Sequence, residues 1–257
     1  MRLFFFNQLR LWAVTITLVL LTGGLSALAI GVGQANTAQR HIAYITQPDA
    51  LIDLYTLYLH DVEVGARIPL VKDYLGWGSA LAWSPDGERI AFSAFEQGSV
   101  RRNIYVLDMT DFSITQITGD TVVTDHNSPS WSPDGMQLVY HAVTPATQGN
   151  IDLYTYTFIT GEQTRIYARD FGDYTPRWSP DGTTIAFESS GPPHFAPTIH
   201  LLNLETGQAA PINDTPISAV NPAWSPDGDT LVYAARPLSP PSATFELYVM
   251  DVNGWNV

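Results

Sequence analysis

Short apolar triplets recur along this chain: Ile42-Ala43-Tyr44, Ile90-Ala91-Phe92, Leu138-Val139-Tyr140, Ile185-Ala186-Phe187 and Leu231-Val232-Tyr233. After a loop of variable length, each is followed by a second apolar run, at residues 54–58, 104–108, 153–157, 199–203 and 247–251. A turn then leads to a third run, such as residues 68–71, 114–118 or 163–167. Short runs rich in Ile, Val, Tyr, Phe and Thr, bounded by turn residues, read as strands. The triplets are apolar on consecutive residues, which suits a sheet buried on both faces. Each unit therefore predicts a four-stranded antiparallel meander whose first strand ends at a tryptophan.

A polar phrase joins that first strand to the triplet, and it occurs four times. The copies are Trp83-Ser84-Pro85-Asp86-Gly87, Trp131-Ser132-Pro133-Asp134-Gly135, Trp178-Ser179-Pro180-Asp181-Gly182 and Trp224-Ser225-Pro226-Asp227-Gly228, spaced 48, 47 and 46 residues apart. A period of about 40–50 residues marks a propeller or solenoid. Ser, Pro and Gly suit the first, second and fourth positions of a type I turn, with Pro fixing φ at the second. The Gly accepts positive φ and a bulge. The Trp supplies a large ring where neighbouring sheets pack. Pro129, Pro176 and Pro222 stand two residues before their Trp, and Leu81 takes that place in the first copy. A radial stack of such sheets is an all-β propeller. Five blades are expected, the first without an inner strand and the last without an outer one. An open arc of this kind would expose edges and an apolar blade face. Two explanations stand: the sequence is a C-terminally truncated piece, or it closes by association.

The pattern Pro-x-Trp-Ser-Pro-Asp-Gly, then Ile-Ala-Phe, then Ile-Tyr-x-x-Asp, resembles the TolB-like, WD-repeat-like β-propeller repeat over residues 41–257. The resemblance implies a non-catalytic scaffold that binds other envelope or extracellular proteins through face and channel loops. The α/β domain that precedes the propeller in the family's namesake has no counterpart between residues 36 and 40. The repeats are also similar to the propellers of prolyl-oligopeptidase-type serine peptidases. The alternative is accordingly a peptidase propeller whose catalytic domain lies outside this sequence.

The N-terminus adds a location. Residues 11–33 are apolar and uncharged, and they follow a short n-region, residues 1–10, that carries Arg2 and Arg10. At about 1.5 Å per residue such a helix just spans a hydrocarbon core of about 30 Å. The arginines keep their side cytoplasmic, so the rest is expected outside, in the periplasm or at the cell surface. An uncleaved single-pass anchor and a cleaved signal peptide are both compatible with this segment. Residues 34–40 form a short linker.

Composition and charge narrow the chemistry. The net charge of −13 argues against nucleic acid, because phosphate binding needs clustered Lys and Arg. The absence of Cys removes disulfides, thiol nucleophiles and Cys-based metal sites. No His-Glu-x-x-His, Gly-x-Ser-x-Gly or phosphate-binding Gly-Lys-Ser/Thr phrase occurs, and neither cofactor nor metal is expected. The turn aspartates recur on separate blades and read as turn formers.

Binding is expected on the face opposite those turns, called here the top, where the long variable loops lie. Residues four and five before each Trp are expected to rim the central channel, including His126, Asn127, Asp173 and Tyr174, and a small ligand is conceivable there. Asp125, His126 and Asp173 form the most suggestive cluster. Arg101 and Arg102 stand out in an acidic chain, and His194 and Phe195 lie on a Gly-Pro-Pro loop. His141 follows its triplet at a strand end near the top. His200 aligns with Tyr55, Tyr105, Tyr154 and Tyr248 and reads as a blade-core residue.

Overall fold

The computed structural model describes residues 29–31, 41–46, 55–61, 65–75, 80–95, 101–119, 125–143, 150–192, 195–212, 217–238 and 244–252. Among them the chain forms five antiparallel sheets, each ordered as a simple meander. The first holds β1 (Ala29–Gly31), β2 (His41–Thr46), β3 (Tyr55–Asp61) and β4 (Arg67–Leu75). The second holds β5 (Leu81–Trp83), β6 (Arg89–Phe95), β7 (Arg102–Asp108) and β8 (Ile114–Gln116). The third holds β9 (Asp125–Trp131), β10 (Gln137–Val143), β11 (Ile151–Thr157) and β12 (Glu162–Tyr167). The fourth holds β13 (Asp173–Trp178), β14 (Thr184–Ser189), β15 (Thr198–Asn203) and β16 (Ala209–Pro211). The fifth holds β17 (Ile217–Trp224), β18 (Thr230–Pro237) and β19 (Glu246–Asp251). These are five propeller blades, and the first has an inner strand after all: Ala29 pairs with Ile45 and Gly31 with Ala43. That strand lies within residues 11–33, where the apolar pattern alone predicts a membrane or signal helix. Residues 1–28 and 32–40 lie outside the described residues, and among the described residues no helix is long and apolar enough to cross a membrane.

Every blade carries the same aromatic pair, one ring from the second strand and one from the third. The pairs are Tyr44–Tyr58 at 5.7 Å, Phe92–Tyr105 at 5.6 Å, Tyr140–Tyr154 at 6.1 Å, Phe187–His200 at 5.6 Å and Tyr233–Tyr248 at 5.8 Å. His200 thus fills the ring position of its blade. The first-blade member is Tyr58, opposite Tyr44 in the ladder, and not Tyr55 as the sequence alignment has it. No copy of the turn phrase precedes that blade's triplet to fix the count, and a three-residue slip leaves an apolar pattern almost intact.

Each blade presents its aromatic pair to the blade before it and an aliphatic face to the blade after it. The four apolar cores are these four seams. Ala43, Ile45 and Leu57 meet Phe92 and Tyr105, whereas Ala91, Ile104 and Val106 meet Leu138 and Tyr140. Val139 and Leu153 meet Ile185 and Phe187, and Ala186, Ile199 and Leu201 meet Leu231 and Tyr233. Because alternate residues of one strand serve opposite seams, no position in the triplets is free to be polar.

The turns nest around the bottom face. In each copy the Gly N–H bonds the Ser carbonyl at 2.9–3.0 Å, closing the four-residue turn. The Ser hydroxyl donates to the Asp carboxylate in all four copies, and that carboxylate accepts the N–H two residues on at 2.9–3.1 Å. Both bonds fall on Oδ1 of the aspartate in every copy, and this turn-closing role answers for its recurrence without a ligand. The Ser132 and Ser225 hydroxyls hold Asp134 and Asp227 below the usual carboxylate value. Gly182 has φ +79°, and an added Cβ would come within 3.2 Å of Pro133 in the preceding turn. Gly182→Ala is expected to cost about 1–2 kcal/mol in urea unfolding, from the unfavourable φ and the displaced proline.

Candidate protein-binding face

The inner strands of the last three blades share a local distortion. Ser128, Thr175 and Asn221, each three residues before a Trp and followed by Pro, have φ of 55°, 45° and 55°. At each point the ladder skips, so that two residues oppose one on the second strand. Proline has no N–H to give the ladder, and the residue before it is pushed away from the helical region, so this is where a strand yields.

Side chains from the preceding blade secure these bulges. Ser93 donates to Asn127 Oδ1 at 2.5 Å. The Thr175 N–H bonds His141 Nδ1 at 3.3 Å, and the Asn221 N–H bonds Glu188 Oε1 at 2.8 Å. Ser93, His141 and Glu188 all stand directly after their triplets. Sequence reasoning placed His141 at a strand end but assigned this series no role. Its shared offset from the triplet is the signal that could have revealed it. Ala234 occupies the same offset in the fifth blade and brings no hydrogen-bonding group.

The residues singled out from sequence fall into two groups. His126, Asn127 and Asp173 are buried in the seams at 2%, 8% and 0% exposure, so solvent does not reach them. His126 tilts against Tyr140, with Nδ1 at 3.4 Å from the Arg102 carbonyl. Asp173 accepts from the Ser189 hydroxyl and from Arg169 Nη2 at 3.3 Å. The described contacts put His126 against the second blade and Asp173 against Ser189 and Arg169 of the fourth blade and its approach. Arg102 makes a two-pronged ion pair with Asp125 across the second seam, at 2.7 and 2.5 Å, and lies 5.5 Å from the Phe95 ring. Tyr174 is half-buried, edge-on to His141 at 5.8 Å.

Arg101 and Phe195 form the second group, and both are exposed. Phe195 is 64% exposed and holds φ 56°, a costly conformation for a bulky side chain. Its N–H bonds the Gly191 carbonyl at 2.8 Å, and its ring meets Phe171 edge-on at 5.8 Å. A Cβ on Gly191 would lie 3.1 Å from the Phe171 ring, so the glycine lets this platform form. His194 lies outside the described residues. Strand direction also puts Arg169 and Arg236 on the top face, with Arg236 4.8 Å over Phe245. The bottom face carries exposed Asp86, Glu88, Asp134, Asp181, Asp227 and Asp229. The top face thus combines arginines with exposed rings and lacks this ring of turn carboxylates, whereas the bottom carries them together with Arg89, over the Trp131 and Phe158 rings, and exposed Phe112.

Burial sets the protonation of the interior. It pushes His141 down to about 3 and His200 down to about 4, and it raises Asp173 to about 6. It also raises Glu188 above and lowers Arg177 below their ordinary values. Among the described residues no three His, Asp or Glu side chains gather as a metal site.

A family model described as the TolB beta propeller domain matches residues 35–196, more than half of the chain. A protein TolB homolog of Chlorobium luteolum is 33% identical over 129 residues, which is 49% of this chain and 27% of that protein. The Tol-Pal system protein TolB of Francisella tularensis is 35% identical over 79 residues, 31% of this chain and 17% of that protein. The chain spans about a quarter or less of these relatives. Among solved structures, TolB from Acinetobacter baumannii superposes with a TM-score of 0.68 at 24% identity, over 83% of this chain and 49% of that one. Puromycin hydrolase does so with a TM-score of 0.63 at 16% identity, over 90% of this chain and 37% of that one. At these identities both likenesses concern the fold.

Proposed function

The chain belongs to the TolB β-propeller family, and from that premise we propose that it is a non-catalytic, extracytoplasmic scaffold that binds another envelope protein with its top face. The observation that carries this reading is the Phe171–Phe195 platform. Phe112, in a bottom turn, is also exposed at positive φ, but Phe195 stands on a loop outside the repeat, meets a second ring edge-on and shares its face with Arg101, Arg169 and Arg236. Aromatic and arginine side chains are also the types enriched where protein partners dock. An N-terminal anchor or export signal ending before the strand at Ala29 would hold this face outside the cytoplasm. The peptidase alternative draws on puromycin hydrolase, a likeness that extends to the fold alone.

Site-specific photo-cross-linking in cells tests the proposal. A benzophenone side chain at position 195 is expected to yield a discrete adduct with an envelope protein, and Arg101→Glu is expected to weaken it. The same group at position 159, in a bottom turn where Ile159 is 79% exposed, is expected to yield none. Equal adducts from both positions, or none from position 195, would reject the top face as the binding surface.

A further inference from the structure

The inner-strand position opposite the second residue after each triplet differs from blade to blade. His126 stands there opposite Ala142 and Ala219 opposite Ala235, but Asp173 stands there opposite Ser189. Two blades thus fill this place without an acid, whereas the fourth buries one at 0% exposure. Asp173 Oδ1 accepts from the Ser189 hydroxyl and from Arg169 Nη2 at 3.3 Å, while Oδ2 and Arg169 Nε are buried without partners. Arginine offers a carboxylate a fork of donors, and here one prong is made where Arg102 and Asp125 make two. Tyr167 faces both Asp173 and Arg169, and His200 faces Arg169. Asp152, buried in the third blade, faces Asp173 as well and is held by Arg165 Nη1 at 3.3 Å and by the Arg169 main-chain N–H. Asp170, beside Arg169, is exposed. Arg169 therefore has its main chain against the third blade and its side chain on the fourth.

This arginine opens the connection between β12 and β13, residues 168–172, which carries Phe171. Asn150 Nδ2 holds the Arg169 carbonyl at 3.3 Å, and the Ser190 N–H holds the Gly172 carbonyl at 3.0 Å. Between these anchors no main-chain hydrogen bond fixes Asp170 or Phe171, so the Arg169–Asp173 pair closes the loop across them. We propose that this pair is a pH-operated latch on the aromatic platform: ionised Asp173 grips Arg169 and holds Phe171 against Phe195, and protonated Asp173 lets go. The proton comes from water to Oδ2, the oxygen without a partner, and cancels the charge that draws Arg169 inward. Burial, with Asp152 adding to it, raises Asp173 to about 6, so the latch turns over near neutral pH. The latch itself stands on these contacts; its control of partner binding rests on the scaffold reading.

Fluorophenylalanine at position 171 of the full chain reads the latch by fluorine NMR. Its signal is expected to titrate with a midpoint near pH 6 and to keep its acid position at every pH in Asp173→Asn and Arg169→Gln. In Asp152→Asn the midpoint is expected to fall, because a like charge beside Asp173 is gone. Urea unfolding at neutral pH shows that each variant is folded. A wild-type signal indifferent to pH, or one that still titrates in Asp173→Asn, overturns the proposal. The benzophenone at position 195, used below saturation, is expected to lose up to about tenfold of its adduct one pH unit below the midpoint, where about a tenth of the molecules keep Asp173 ionised. Asp173→Asn is expected to remove that dependence. Equal wild-type adducts above and below the midpoint overturn the control of binding. No adduct at any pH, with the fluorine signal still titrating, rejects the scaffold reading and leaves the latch in place.

Discussion

Phe187→Ala is expected to destabilise the protein by about 3–5 kcal/mol, the usual range for deleting a fully buried aromatic ring. Phe187 is 0% exposed and sits in the seam between the third and fourth blades, with Val139 and Leu153 on one side and Ile185 and Leu202 on its own. Its ring meets Tyr167 edge-on at 5.2 Å and tilts against His200 at 5.6 Å. Truncation therefore removes packing against strands of both blades and leaves a void that rigid sheets on both sides cannot close. The ring is held between blades, so the loss should appear in the global transition: the urea midpoint falls while the slope stays constant. Ile159→Ala, on an exposed turn, is expected to stay within about 0.5 kcal/mol of wild type. A change below about 1 kcal/mol at Phe187 would mean that this seam is not packed as described.

The parts of this fold that could be read from the sequence are those the turn phrase measures. Counting from its glycine locates the triplets, the second apolar runs and the five blades, and the Ser-Pro-Asp-Gly chemistry explains itself through bonds made inside the turn. The reading loses hold where the phrase is missing. In the first blade Tyr55 stands in for Tyr58, and Ala29–Gly31 is hidden inside an apolar stretch whose composition serves a strand or a helix equally well. The candidate site was harder to read for a different reason. Facing direction along a strand follows a parity count, and the bulges at Ser128, Thr175 and Asn221 insert one residue into that count. His126, Asn127 and Asp173 are buried although counting back from the Trp suggests a channel, because both faces of a blade are packed and position along the strand does not give exposure. Arg101 and Phe195 sit on loops outside the repeat, where no such error accumulates, and they are exposed. The polar links at Ser93, His141 and Glu188 were visible only as a shared offset, because their partners are backbone groups that no sequence pattern displays.

Replacing Asp173 with Asn is expected to make acidification from pH 6.5 toward 4 more destabilising by about 1.4 kcal/mol per pH unit, the slope of one proton. His141 and His200 are held neutral in the fold, with values of about 3 and about 4, whereas in the unfolded chain both titrate near 6.5. Their contribution is complete above pH 6.5 and declines as the pH falls, since unfolding then releases imidazoles that bind protons. His141 must be neutral at Nδ1, which accepts the Thr175 N–H and so helps secure the fourth-blade bulge. Asp173 works in the opposite sense. Its native value of about 6 lies above the unfolded one, so the fold takes this proton first and gains stability as the pH falls from 6 toward 4. Two protons taken up on unfolding are opposed by the one Asp173 releases and by Glu188, which burial also raises, so the net slope is one proton or less. His141→Gln is therefore expected to lower the slope between pH 6 and 4.5, and Asp173→Asn to raise it, each by about 1.4 kcal/mol per pH unit in urea titrations across that window. Identical slopes for Asp173→Asn and wild type would show that the carboxyl is already ionised in the fold at pH 5. Burial between Ser189 and Arg169 would then not suffice to keep it protonated.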